Sequence, residues 1–237
     1  METVAKYFIY FIIYAFLGWL MEVVCKLIEN KRFINRGFLI GPICPIYGYG
    51  VLSIVLLIGS YKGDILSVFL KSIFVCSILE YITSYFMEKI FKARWWDYST
   101  SRFNLNGRIC LDTMIPFGIL SIFVIYVLHP FIISLVSKIS VKAQLLLALI
   151  LFIIYLADNI FSYTIMNKIK NEIKDTNKDN TEAIKQYMVK WLDENSIFYR
   201  RIKDAYPNFI IKIKKLNNNI KEINEQAKEK YKKKVIK

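Results

Sequence analysis

Residues 88–118 read EKIFKARWWDYSTSRFNLNGRICLDTMIPFG. Apolar runs flank this stretch on both sides, yet it holds arginines, adjacent tryptophans, Asp97 and the paired asparagines Asn104 and Asn106. A plain connection between two membrane helices needs only a few solvated residues. This one is long, aromatic and charged, the composition of a segment that folds back on the ends of the helices it joins. The fold turns on whether the flanking runs cross a bilayer and on what lies between them.

The flanking runs are 65–91 and 111–136. At 1.5 Å per residue each can cross a hydrocarbon core of about 30 Å. Further apolar runs lie at 7–28, 46–60 and 143–166. The chain is 55% hydrophobic, where a soluble domain averages about 45–50%, and the excess collects in residues 1–166. The expected fold is all-α: a polytopic membrane protein with five transmembrane helices in residues 1–166, followed by a basic, mostly helical cytoplasmic tail at 167–237. In the tail, Ile184, Tyr187, Met188, Trp191 and Leu192 form an amphipathic stripe, and Ile213, Leu216, Ile220 and Ile223 a heptad fragment. Only Lys6 precedes the first run and no small-residue cleavage site follows it, so that run is read as a retained helix.

Two runs carry irregularities. The run 46–60 starts raggedly, because Gly41-Pro42-Ile43-Cys44-Pro45 cannot form a regular helix. Pro130 predicts a kink or an end in the run 111–136. The links around 61–64 and 137–142 are short enough to make antiparallel hairpins of the second and third runs and of the fourth and fifth. The first four runs also hold a faint parallel repeat, in which Met21-Glu22 answers Met87-Glu88 and Pro45-Ile46-Tyr47-Gly48 answers Pro116-Phe117-Gly118.

The formal net charge is +14. Residues 1–166 hold 14 Lys+Arg against 9 Asp+Glu, and residues 167–237 hold 19 against 10. A basic segment beside a bilayer is drawn to anionic lipid headgroups. Nucleic-acid binding would share the excess charge but leaves the spans unexplained, so no nucleic-acid partner is expected. With five spans, Lys31, Arg32, Arg36, Lys92, Arg94, Arg102 and Arg108 share one side with the tail, against Lys6, Lys62, Lys138 and Lys142 on the other. Positive charge stays cytoplasmic. The expected topology is therefore an inner-membrane protein with its N-terminus outside and its C-terminus inside.

Ionisable residues within membrane helices cost a few kcal/mol each, so they face the bundle interior and find partners. Here they are Glu22, Glu80, Glu88 and Asp158. Counted from the cytoplasmic ends of their spans, Glu22, Asp158 and Glu80 sit at heights of about 9, 12 and 16 Å. Glu80, Ser84 and Glu88 follow one another at four-residue spacing and make one face of their helix polar. Below them lie two basic loops whose Arg36, Arg94 and Arg108 can meet carboxylates with paired hydrogen bonds. Trp95, Trp96 and Tyr98 suit headgroup depth. With Asn35, Asp97 and Asn106 these residues form the candidate polar core, either a binding cavity or a staple between helices.

Other chemistry leaves no trace. Cys25, Cys44, Cys76 and Cys110 lack metal spacing, and the single histidine, His129, supplies neither a metal set nor a triad. No phosphate loop, nucleophile elbow or zinc-protease motif occurs. No catalytic residue, metal or cofactor is expected.

At these same residues the chain resembles the ABC-transporter type IV (CmpB-like) family of bacterial membrane proteins. The matching stretches are Phe16-Leu17-Gly18-Trp19 with Glu22, Asn35-Arg36-Gly37-Phe38-Leu39 with Gly41-Pro42, and Pro45-Ile46-Tyr47-Gly48 with Gly50. They continue through Glu80-Tyr81, Glu88, Arg94-Trp95-Trp96-Asp97-Tyr98-Ser99, Asn104, Asn106-Gly107-Arg108 and Cys110-Leu111. The resemblance implies a permease-type component of unknown substrate, with the ATPase on a separate chain and a homodimer as the expected assembly. Two other readings stay open: an accessory membrane protein that docks a partner through its tail, and a membrane-embedded enzyme acting on a lipid headgroup.

Overall fold

The computed structural model describes residues 1–35, 37–59, 64–91 and 94–175. Arg36, the link at 60–63 and the stripe and heptad fragment of the tail lie outside the described residues. The described chain forms α1 (Glu2–Asn30), α2 (Pro45–Ile58), α3 (Ile65–Phe91), strands β1 (Asn104–Leu105) and β2 (Ile109–Cys110), α4 (Leu111–Phe123), α5 (His129–Ser137) and α6 (Val141–Asp175). It divides into two compact units, Met1–Tyr85 with Trp96–Thr164 and Phe86–Trp95 with Ile165–Lys237.

Four helical stretches are long and apolar enough to cross a membrane: Glu2–Asn30, Ile65–Phe91, Leu111–Ser137 and Val141–Lys168. The remaining expected span is the short helix α2. Its 14 residues cover about 21 Å, less than a hydrocarbon core. The chain becomes helical only at Pro45, which takes the first helical position, where a missing N–H costs nothing.

What precedes α2 explains its length. The backbone leaves α1 at Lys31, in the left-handed region with φ 53°, where its N–H closes on the Leu27 carbonyl. By Cys44 the chain is back beside the middle of α1, since the Cys44 N–H donates to the Ala15 carbonyl at 2.9 Å. Ala15 stands about 22 Å above Asn30 along the helix. From there α2 follows the N-terminal half of α1, and its Val51 and Leu52 pack against a core of Ala5, Ile9, Tyr10 and Tyr14. Residues 37–44 and α2 thus share one traverse, the first part a bending, non-helical run and the second helical.

Glycine permits that close packing. A Cβ on Gly48 would lie 2.6 Å from the Phe11 ring and 2.7 Å from the Phe11 carbonyl oxygen. Gly118 of α4 stands in the same relation to Phe69 of α3, at 2.6 Å. Phe11 precedes Glu22 by eleven residues, as Phe69 precedes Glu80. The two helix pairs therefore match in a register that sets Glu22 against Glu80, where the sequence alone had set it against Glu88.

The break expected at Pro130 takes another form. The helix runs on to Ser137 through a π-helical turn at Val124–Leu128, just before His129-Pro130. The wider turn absorbs the hydrogen bond that proline cannot donate. His129 Nδ1 meets the Tyr14 hydroxyl at 2.6 Å, tying this turn to α1. Residues 138–140 link α5 to α6, whose Gln144 amide donates to the Val136 and Ile139 carbonyls. Ile132 and Val136 of α5 and Ala148 of α6 join the α1 core. Much of α6 shows apolar side chains outward, among them Leu146, Ile153 and Ile160, as a lipid-facing helix does.

Candidate functional site

The non-helical run 37–44 lies against helices long and apolar enough to cross a membrane, where polar backbone is tolerable only if protein shields and satisfies it. Asp158 of α6 does so. Its Oδ1 accepts the Ile40 N–H and its Oδ2 the Gly41 N–H, each at 2.9 Å. Ser162, one turn further along α6, donates to Asp158 Oδ1 and also accepts from Ile40. Gly41 sits so close that a Cβ there would be 2.9 Å from Asp158 Oδ2. At the other end of the segment, Asn35 Oδ1 accepts from Trp19 Nε1 and the Gly37 N–H, while its amide nitrogen donates to the Ile40 carbonyl.

The second loop is built as a small hairpin. Asn104 pairs with Cys110 and Leu105 with Ile109 in antiparallel register. Asn106 and Gly107 both take positive φ, 54° and 66°, as a tight hairpin turn of the I′ kind requires. Asn104 braces that turn, accepting from the Gly107 N–H and donating to the Ser101 carbonyl. Trp96 Nε1 donates to the Arg108 carbonyl and the Tyr98 N–H to the Gly107 carbonyl. The Asp97 carboxylate accepts the Ser99 N–H. These bonds fix the hairpin against the strand of chain that carries Tyr98.

The hairpin then docks on α3. Tyr98 donates its hydroxyl to Glu80 Oε1 at 3.1 Å. Arg108 Nη1 reaches Ser84 Oγ at 3.4 Å, and its guanidinium lies over the rings of Tyr81 and Tyr85 at 5.6 and 5.4 Å. Asn106 donates to the Tyr81 hydroxyl. On α1, Glu22 Oε1 accepts the Tyr47 hydroxyl at 2.6 Å. The Tyr47 ring lies flat on Gly18, where a Cβ would be 2.2 Å from it, and touches Phe117 of α4 edge-on. Tyr98 feels the charge of both Glu80 and Glu22, so two acids and two tyrosines form one cluster. Burial first, then Glu80, pushes the Tyr98 phenol above its ordinary range. It therefore stays a hydrogen-bond donor at neutral pH.

The carboxylates meet different partners from those the sequence suggested. Among the described residues no guanidinium reaches Glu22, Glu80 or Asp158; hydroxyls and backbone N–H groups do. An acid–arginine pair does form in the other unit, where Arg94 Nε donates to Glu88 Oε2 at 3.0 Å and Trp95 packs edge-on against Phe91. Of the expected residues, Glu22, Glu80, Ser84, Tyr98, Asn106 and Arg108 come together, with Trp96 and Asp97 holding the hairpin. Asn35 and Asp158 bracket the first loop. Tyr47 and Ser162 were absent from the expected set; the signal for Ser162 was its place four residues after Asp158 on one helix face.

With this geometry in place, comparison with known families gives one result. A family described as "Putative ABC-transporter type IV" matches residues 9–163. The chain belongs to that family, as the resemblance at these residues implied, and is a multi-pass, transporter-related membrane protein. Comparisons with curated proteins and with solved structures return no match.

Proposed function

We propose that the protein is a permease-type component of a transport system whose ATPase resides on another chain. The observation that carries this reading is the broken traverse: the non-helical run 37–44, held against α6 by Asp158, followed by the short helix α2. Transporters place such discontinuous segments, and the polar groups that satisfy them, where a substrate passes. Counting this traverse as a span gives five, with the N-terminus outside, the C-terminus inside, and the loops at 30–35 and 92–110 on the cytoplasmic side of the inner membrane. The two loops are then the surfaces on which an ATPase subunit acts. Five spans per chain are few for a pathway, and a homodimer completes it. The basic tail, +9 over residues 167–237, rests on anionic headgroups.

The test is gentle purification from native membranes, followed by reconstitution. The reading predicts a co-purifying ATPase subunit and solute movement that depends on nucleotide. Recovery of the chain without any ATPase, and no nucleotide-dependent transport, would overturn it.

A further inference from the structure

Helix α3 carries buried polar atoms that the docked hairpin does not use. Ser77, Glu80 and Ser84 lie three and four residues apart and so share one face. They are 8%, 6% and 4% exposed. Arg108 takes Ser84 and Tyr98 takes one oxygen of Glu80. The other carboxylate oxygen, Oε2, and the Ser77 hydroxyl are each enclosed and have no hydrogen-bond partner among the described residues. A buried helical serine ordinarily returns its proton to the carbonyl four residues back, and Ser77 does not. One turn of helix therefore carries two buried oxygens, three residues apart, that the described residues leave unsatisfied, and a third, Ser72 Oγ, lies further along α3.

A lone carboxylate without a cationic partner is costly to bury. Among the described residues no lysine, arginine or histidine stands within ion-pair distance of Glu80. Tyr98 and Ser77 are neutral, so the local charge calls for a single positive charge and not two. The ligating atoms are hard oxygens, which suit alkali-type cations and not zinc or copper. Glu80 lies deep in its span, beneath a hairpin that bonds to it directly.

We propose that Glu80 Oε2 and Ser77 Oγ bind a small alkali-metal cation, with Tyr98 closing the site from the loop side. Cation occupancy then ties the Trp96–Cys110 hairpin to α3, because the same carboxylate serves both. This holds whether or not an ATPase partners the chain.

Thermal unfolding of the purified full chain in detergent tests it, with sodium, potassium and choline chlorides compared at constant ionic strength. Sodium or potassium should raise the midpoint saturably by several degrees over choline. Glu80→Gln, which still accepts from Tyr98, should abolish that rise, and Ser77→Ala should weaken the apparent affinity at least tenfold. Should Glu80→Gln fail to fold, Ser77→Ala decides alone. Equal midpoints in all three salts overturn the proposal, as does an alkali effect that survives in Glu80→Gln or keeps its wild-type affinity in Ser77→Ala. Stabilisation by acid alone, without ion selectivity, makes the occupant a proton and also overturns it.

Discussion

Glu80 and Tyr98 share a single hydrogen bond, and that bond is the main polar link between the hairpin and the deep part of α3. Tyr98→Phe deletes the donor and leaves the carboxylate with no partner among the described residues, at a cost of about 1–3 kcal/mol. A lowered unfolding midpoint measures it. The pH dependence follows from the raised phenol: its stabilising share is intact below the ordinary tyrosine value of 10.0 and declines as pH rises beyond it. Stability curves of wild type and Tyr98→Phe should therefore converge in strong alkali and separate at neutral pH. Gly18→Ala tests the α1 side of the cluster. A Cβ there collides with the Tyr47 ring and pulls its hydroxyl from Glu22; overpacking of this kind costs about 1–3 kcal/mol. Arg108→Ala removes the Ser84 bond and two ring contacts and should harm folding or activity far more than Lys138→Ala in the α5–α6 link.

At the scale of elements, the two loops show what a sequence reveals and what it conceals. The arginines, aromatics and asparagines at 94–108 announced a structured segment, because such residues are wasted in a solvated link. Asn106-Gly107 also carried a hairpin signal in plain view. The partners of the acids were not legible. Acids in the spans above two basic loops suggested ion pairs, but backbone N–H groups of the non-helical run needed acceptors more urgently, and Asp158 took them. No composition rule places a carboxylate in α6 beside Ile40 and Gly41, more than a hundred residues earlier. Asp158→Ala strands the Gly41 N–H and leaves Ile40 only its longer bond to Ser162, which should cost about 1–3 kcal/mol, read as a drop in unfolding midpoint. Asp158→Asn, which keeps one acceptor, should recover part of the loss.

For the molecule as a whole, the apolar runs were legible because bilayer thickness dictates them. Four of them form helices long and apolar enough to cross a membrane. The short α2 was foreshadowed by Gly41 to Pro45, but its depth depends on the Cys44–Ala15 contact, which periodicity cannot supply. The permease and accessory readings part at the tail. Removal of residues 176–237 should leave the membrane domain folded and, for a permease, its substrate site intact; an accessory protein would lose its function with the tail.

The central claim is that residues 37–44 return into the bundle as non-helical chain pinned by Asp158. Hydrogen–deuterium exchange over this segment tests it most directly. The account predicts slow exchange at Ile40, Gly41 and Cys44 in wild type, with protection at Ile40 and Gly41 collapsing in Asp158→Ala while α1 stays protected. Exchange at those amides as fast as in a free loop, or unchanged by Asp158→Ala, would contradict it.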